Sequence, residues 1–129
     1  MRPIIVLLCD PDTRKKIEAR LREAGRYQDG EIFDRLVVGD CAFGVDLSDD
    51  VMDDYYDDEK SELIERFGSV APVAVEYSNI SCLRPLLQSV LSGLSGLLDT
   101  DFDELIEFDE VLARFSRDPD WDWGKRKAE

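Results

Sequence analysis

Apolar residues recur along this chain in two periods, and the switches between them mark its elements. Residues 3–8, PIIVLL, are short, continuous and partly β-branched, which predicts a fully buried strand over Pro3–Leu8. Asp10 follows as an N-cap with Pro11 at the first helical position. The spacing of Ile17, Leu21 and Ala24 then predicts a helix running to Gly25, with Arg14, Lys15, Lys16, Arg20 and Arg22 mostly outward. Tyr27–Gly30 reads as a turn. Strands are expected near Ile32–Val38 and Ala42–Leu47, divided by Gly39 and Asp40.

Ser48 or Asp49 can cap a second helix ending near Gly68. On a helical wheel Val51, Met52, Tyr55, Tyr56, Leu63 and Phe67 share one side, and Asp49, Asp50, Asp53, Asp54, Asp57 and Asp58 the other. Pro72 opens a strand over Val73–Tyr77. A third helix is expected from about Cys82, because Pro85 fits a first turn. Its apolar residues Leu83, Leu86, Leu87, Val90, Leu91 and Leu94 keep the i, i+3, i+4, i+7 spacing of the most buried helix in the chain. Gly93 and Gly96 weaken its end, and Leu97-Leu98 reads as a short strand. Val111–Phe115 anchors a last helix, stopped at Asp118-Pro119, with Trp121 and Trp123 packing the final segment onto the domain. Residues 124–129 read as a frayed tail. The order β-α-β-β-α-β-α-(β)-α predicts a single α/β domain spanning residues 1–129, a mixed sheet of four to five strands packed with about four helices.

Composition narrows what such a domain can do. The 129 residues are 43% hydrophobic, enough for a real core, and a chain of this size buries about two-thirds of its unfolded surface. Ile4–Cys9 is apolar, but Asp10, Pro11 and Asp12 end the run too early for a signal-peptide core or a membrane span. Cys9, Cys41 and Cys82 are odd in number and far apart, with no C-x-x-C, so they are expected as buried free thiols in a reducing cytoplasm. There is no histidine, which removes His-assisted nucleophiles and histidine metal motifs. Neither glycine-rich phosphate loop occurs. No cofactor and no metal are expected, and no carboxylate pair stands out as an acid–base couple, so the domain is expected not to be an enzyme.

The net charge is −14, which disfavours nucleic acid and anionic membrane as partners. The charge is uneven. Residues 36–65 hold eleven acids and one Lys, and residues 97–129 eleven acids and five basic residues. In the first block acid pairs recur every four residues, at 49/50, 53/54 and 57/58. Like charges at i, i+4 destabilise a helix by a few tenths of a kcal/mol each, so helix stability does not explain the pattern. The block is the candidate partner-binding surface: Asp49, Asp50, Asp53, Asp54, Tyr56, Asp57 and Asp58, with Tyr55 and Tyr56 on the core side and a ring edge at the rim, where aromatics anchor interfaces.

Two other stretches carry alternatives. DTDFDELIEFDE, residues 99–110, places Asp99, Asp101, Asp103, Glu107 and Glu110 in nearly the ligand order of an EF-hand calcium loop. Glu104 stands where that loop needs a left-handed backbone, which glycine supplies without strain. The stretch therefore reads better as a strand end and acidic turn leading into a helix whose dipole favours early acids. IIVLLCDPDTRKKIEARLREAG resembles the first strand and helix of a bacterial receiver domain, with Asp10 and Asp12 in the place of that family's magnesium-holding acids. A calcium-responsive or degenerate receiver-like regulator is thus the alternative expectation. VAVEYSN, the leucine-rich helix, GLLDTDF and DPDWDW, within residues 70–123, resemble small acidic immunity proteins of bacterial polymorphic-toxin systems. That resemblance implies a cytoplasmic, non-enzymatic protein that binds and neutralises a cognate toxin, here one with a basic surface to meet the acidic block.

Overall fold

The structure is a computed structural model that describes residues 2–100, 102 and 104–123. Strand β1 (Ile4–Cys9) sits inside the sheet and is apolar at every position because both of its faces are covered. Ile5, Leu7 and Cys9 point into one core, and Val6 and Leu8 into a second on the opposite face. Helix α1 (Pro11–Ala24) follows as expected. The Asp10 carboxylate accepts the Thr13 N–H at 2.7 Å, Pro11 occupies the first turn, and Ile17 and Leu21 are buried.

The sheet then builds outward through β2 (Arg26–Gln28), β3 (Asp34–Val38), β4 (Cys41–Asp46) and β5 (Ala71–Glu76), and on the other side through β6 (Leu97–Asp99) and β7 (Leu105–Glu107). Its order is β2-β3-β4-β5-β1-β6-β7. The α/β class holds with four helices. The sheet, however, has seven strands rather than four to five, and every pairing is antiparallel rather than mixed. The reason lies in one crossover. Helix α3 (Ile80–Leu91) joins β5 to β6, which run the same way as a β-α-β unit requires. The N-terminal strand β1 lies between them and runs against both. The two unexpected strands, β2 and β7, are three-residue edges, with β2 replacing the expected turn at Tyr27.

Helices α1, α3 and α4 (Phe108–Arg117) cover the face of the larger core. Helix α3 starts two residues before the expected Cys82, capped by the Asn79 carboxamide on the Cys82 N–H at 2.9 Å, so Pro85 falls in its second turn. Its buried stripe is Leu83, Leu86, Leu87, Val90 and Leu91. Each such side chain contributes roughly 1.5–3 kcal/mol by leaving water. Gly96 then passes so close to the Phe108 ring that a Cβ would lie 2.5 Å from it, which lets α4 fold back under β6. Trp123 is buried and donates its indole N–H to the Tyr77 hydroxyl at 2.9 Å, within a cluster of Phe115, Trp121 and Tyr77. The expected packing role of both tryptophans is what the geometry shows. Residues 124–129 lie outside the described residues.

The cysteines require a correction. Cys9 is free and buried, but Cys41, at the start of β4, and Cys82, in the first turn of α3, form a disulfide with Cα atoms 5.7 Å apart. Two residues 41 positions apart in sequence meet because the first turn of α3 lies against the start of β4, a juxtaposition no local pattern announces. Among the described residues, no helix is long and apolar enough to cross a membrane.

Candidate functional site

The second face of the sheet carries a thin layer: a 3-10 turn over Asp50–Asp54 and helix α2 (Asp57–Phe67), over a small core of Val6, Leu8, Leu63 and Leu97. The single helix expected from Ser48 to Gly68 is therefore two elements. The break falls at Tyr55 and Tyr56, both with extended backbone. The acid pairs supply a reason. A continuous helix would stack Asp49/50, Asp53/54 and Asp57/58 at i, i+4, each repulsive. Breaking it starts a new N-terminus at Asp57, Asp58 and Glu59, where the helix dipole favours negative charge. Glu59 reaches back to accept the Tyr56 N–H at 2.9 Å, closing the cap.

Extended backbone sends successive side chains opposite ways. Tyr55 turns in, packs on the small core and donates its hydroxyl to Asp99. Burial first, and that hydrogen bond second, hold the Tyr55 hydroxyl protonated well above the usual tyrosine range. Tyr56 turns out and is 77% exposed, so it is not on the core side as its helical position suggested. Asp49, Asp50, Asp53, Asp54, Asp57 and Asp58 are exposed around it. Asp49 is bound to Arg14 at 3.1 Å, a guanidinium that also donates to the Leu47 carbonyl. Among the described residues no ion pair reaches the other five. All seven expected site residues are exposed: Asp49 is tied to Arg14, and the other five aspartates flank the bare Tyr56 ring along the chain with no ion pair among the described residues.

A feature the sequence pattern did not single out lies beside this surface. A cleft of about 420 Å³ opens between α2 and the β6–β7 hairpin, lined by Tyr55, Glu59, Glu62, Leu63, Arg66, Leu97, Asp99 and Leu105. Arg66 bridges the two walls by pairing with Glu107. The signal that could have found it is LIE at 105–107, a minimal alternation that leaves Leu105 and Glu107 on the side away from buried Ile106.

The acids of the calcium-like stretch are otherwise engaged. Asp99 holds Tyr55, and it pairs directly with Leu105 across the hairpin rather than wrapping an ion with it. Glu104 and Glu110 pair with Arg114, at 3.5 Å and 2.9 Å, and Glu110 also with Arg117 at 2.9 Å. The hydrogen bond from Arg114 is the main reason the Glu110 carboxyl sits below its ordinary range. Asp101 and Asp103 lie outside the described residues. Among the described residues no group of three or more carboxylates or thiols is placed to hold a metal ion. On the receiver-like side, Asp10 is spent as the cap of α1 and Asp12 is exposed in its first turn. Strand β1 has antiparallel neighbours on both sides, unlike the mostly parallel sheet of flavodoxin-like folds.

Comparison with protein-family models, with curated proteins and with solved structures finds no match to this chain.

Proposed function

We propose that this protein is a non-enzymatic binding module, an immunity protein that captures a cognate bacterial toxin through its acidic surface. The observation that carries the reading is the set Asp50, Asp53, Asp54, Asp57 and Asp58. These five carboxylates are exposed and, among the described residues, without an ion-pair partner, and they flank exposed Tyr56 in the two short elements of a layer that contributes little to the main core. Some acids elsewhere are neutralised, Glu18 and Asp29 by Arg22, Glu76 by Arg2, Glu107 by Arg66 and Glu110 by Arg114, so what sets this block apart is its density of like charge, five unpaired aspartates within nine residues. An unneutralised patch of one sign steers an oppositely charged partner and repels nucleic acid and anionic lipid. A rigid aromatic at its centre is the side chain best suited to anchor the encounter once made. The partner is therefore a protein with a basic surface.

The test uses the product of the adjacent gene, with its activity disabled, and a variant in which Asp53, Asp54, Asp57 and Asp58 are all replaced by Asn. At low salt the on-rate should fall at least about tenfold, and the wild-type salt dependence should flatten, because exposed charges are screened beyond about 10 Å at 0.1 M salt. Cells carrying the variant should be less protected from the toxin. Relief of repulsion helps the variant fold, whereas loss of Asp57 and Asp58 from the α2 N-terminus opposes folding, so urea unfolding is compared first. An unchanged on-rate and salt slope in a folded variant would remove this surface from the interface.

The compartment belongs to the same proposal. A cytoplasmic immunity protein would hold Cys41 and Cys82 as thiols, while the bonded pair favours an oxidising compartment. Counting alkylatable thiols in protein trapped directly from cells decides between them: three thiols for the first, one for the second.

A further inference from the structure

We infer that the free edge of β7 accepts an extended segment of the partner as an added strand, seated over the cleft beside α2. The inference rests on the reading of the partner as a cationic protein and names how that partner is held.

Among the described residues the sheet order ends at β7. Which of its backbone groups face outward follows from the register. Residues 97, 98 and 99 pair with 107, 106 and 105. In the same register the Phe108 N–H donates to the Gly96 carbonyl and the Thr100 N–H to the Glu104 carbonyl, both at 3.0 Å. Hydrogen-bonded and non-hydrogen-bonded pairs alternate in an antiparallel ladder. Leu98 and Ile106 are therefore a bonded pair, while Leu105 and Glu107 turn their main-chain groups away from β6. The N–H and C=O of Leu105 and the N–H of Glu107 form an open docking edge, and open edges template strand addition.

The surroundings choose the occupant. Leu105, 53% exposed, joins Leu63 and Leu97 in the cleft wall, with Glu59, Glu62 and Asp99 among them. Arg66, the one cation among the described residues lining the cleft, is bound to Glu107. A segment alternating Lys or Arg with apolar side chains presents one set to the cleft, and a Lys or Arg there lays its methylene stem on the leucines and its charge on the carboxylates. The β7 edge also adjoins the acidic surface, since Tyr55 and Glu59 line the cleft and flank Tyr56.

The backbone at Glu107 provides a selective test. Its φ of −63° is the angle proline imposes, and its N–H faces outward, so Glu107→Pro removes one edge donor without an internal bond or strain. Glu107→Ala loses the same carboxylate but keeps the N–H. The probe is an acetylated, amidated octapeptide of alternating Lys and Val, titrated by calorimetry into the full chain. Wild type and Glu107→Ala should bind it, Glu107→Pro at least tenfold more weakly. Amide exchange at Leu105 and Glu107 should slow at least tenfold in the wild-type complex. Equal affinity for the Pro and Ala variants, unprotected amides at 105 and 107, or no binding by wild type would each overturn the inference. The Asp-to-Asn variant leaves 105–107 intact, so failure of the acidic-surface reading would show there, in an unchanged on-rate, and not in this comparison.

Discussion

Reducing the Cys41–Cys82 disulfide should cost this protein about 4 kcal/mol of stability. The bond spans 41 positions, and the loop it closes contains most of β4, the 3-10 turn, α2 and β5. In the chain-entropy account, a cross-link stabilises by removing conformations from the unfolded ensemble, by about 3 kcal/mol for a 15-residue loop and about 4.7 for a 100-residue loop, which places this loop near 4. The native side adds little correction, because both cysteines are half-buried and line an open cleft with Val38, Pro85 and Leu86, where the side chains can part once reduced. Urea unfolding followed by tryptophan fluorescence, with and without a phosphine reductant, measures the difference. Trp121 and Trp123 both report on the main core. With a slope of about 2 kcal/mol/M, the midpoint should drop by about 2 M. A Cys41→Ser, Cys82→Ser double variant should match the reduced protein and ignore the reductant. A change below about 0.5 kcal/mol, with mass spectrometry showing the bond reduced, would refute the loop-entropy reasoning.

Two further outcomes test the frame around the site. Leu87→Ala, within α3, and Leu91→Ala, at its last residue, both at sites essentially closed to solvent, should each cost roughly 2–5 kcal/mol by chemical denaturation, and a loss below about 0.5 kcal/mol for both would deny α3 its place under the sheet. Asp10→Ala should cost about 1 kcal/mol at neutral pH by loss of the α1 cap. The Thr13 backbone N–H holds the Asp10 carboxyl below its ordinary value of 3.8, so the stability that its charge confers is complete above 3.8 and lost as pH falls through the folded-state value. The gap between variant and wild type should therefore narrow in acid, and a gap independent of pH would mean that the carboxylate charge is not what caps the helix.

What the sequence reveals and what it hides divide along one line, between local periodicity and long-range contact. PIIVLL, the Asp10-Pro11 start and the leucine stripe of α3 are legible because each is long enough for its period to show. RYQ and LIE are too short to show a period, and so both sheet edges were missed. The antiparallel order was hidden because β1 inserts between β5 and β6 from far away in sequence. The break at Tyr55-Tyr56 was hidden for the opposite reason. Val51, Met52, Tyr55 and Tyr56 satisfy the helical spacing perfectly well, and only the energetic objection to stacked aspartates pointed elsewhere. For the candidate site the same division holds. The acids and Tyr56 were visible as composition. The cleft was not, because its walls come from α2 and from a hairpin more than thirty residues later.

The placement of these features in the thinner layer links stability to recognition. Helices α1, α3 and α4 anchor the main core with many buried side chains, whereas α2 buries Leu63 alone and the 3-10 turn buries none. Elements with few buried contacts open at low free-energy cost, and binding surfaces that adjust to a partner draw on such elements. Here the layer is tethered at defined points: Arg14 to Asp49, Tyr55 to Asp99 and Arg66 to Glu107. Each tether joins the acidic layer to a different part of the rigid frame, namely α1, β6 and β7. Five aspartates without an ion pair among the described residues thereby lie within nine positions, and like charge so close raises the free energy of this layer. Under the proposed function a basic partner would relieve that repulsion on contact, and the main core would keep the frame on which the acidic surface and the β7 edge are presented.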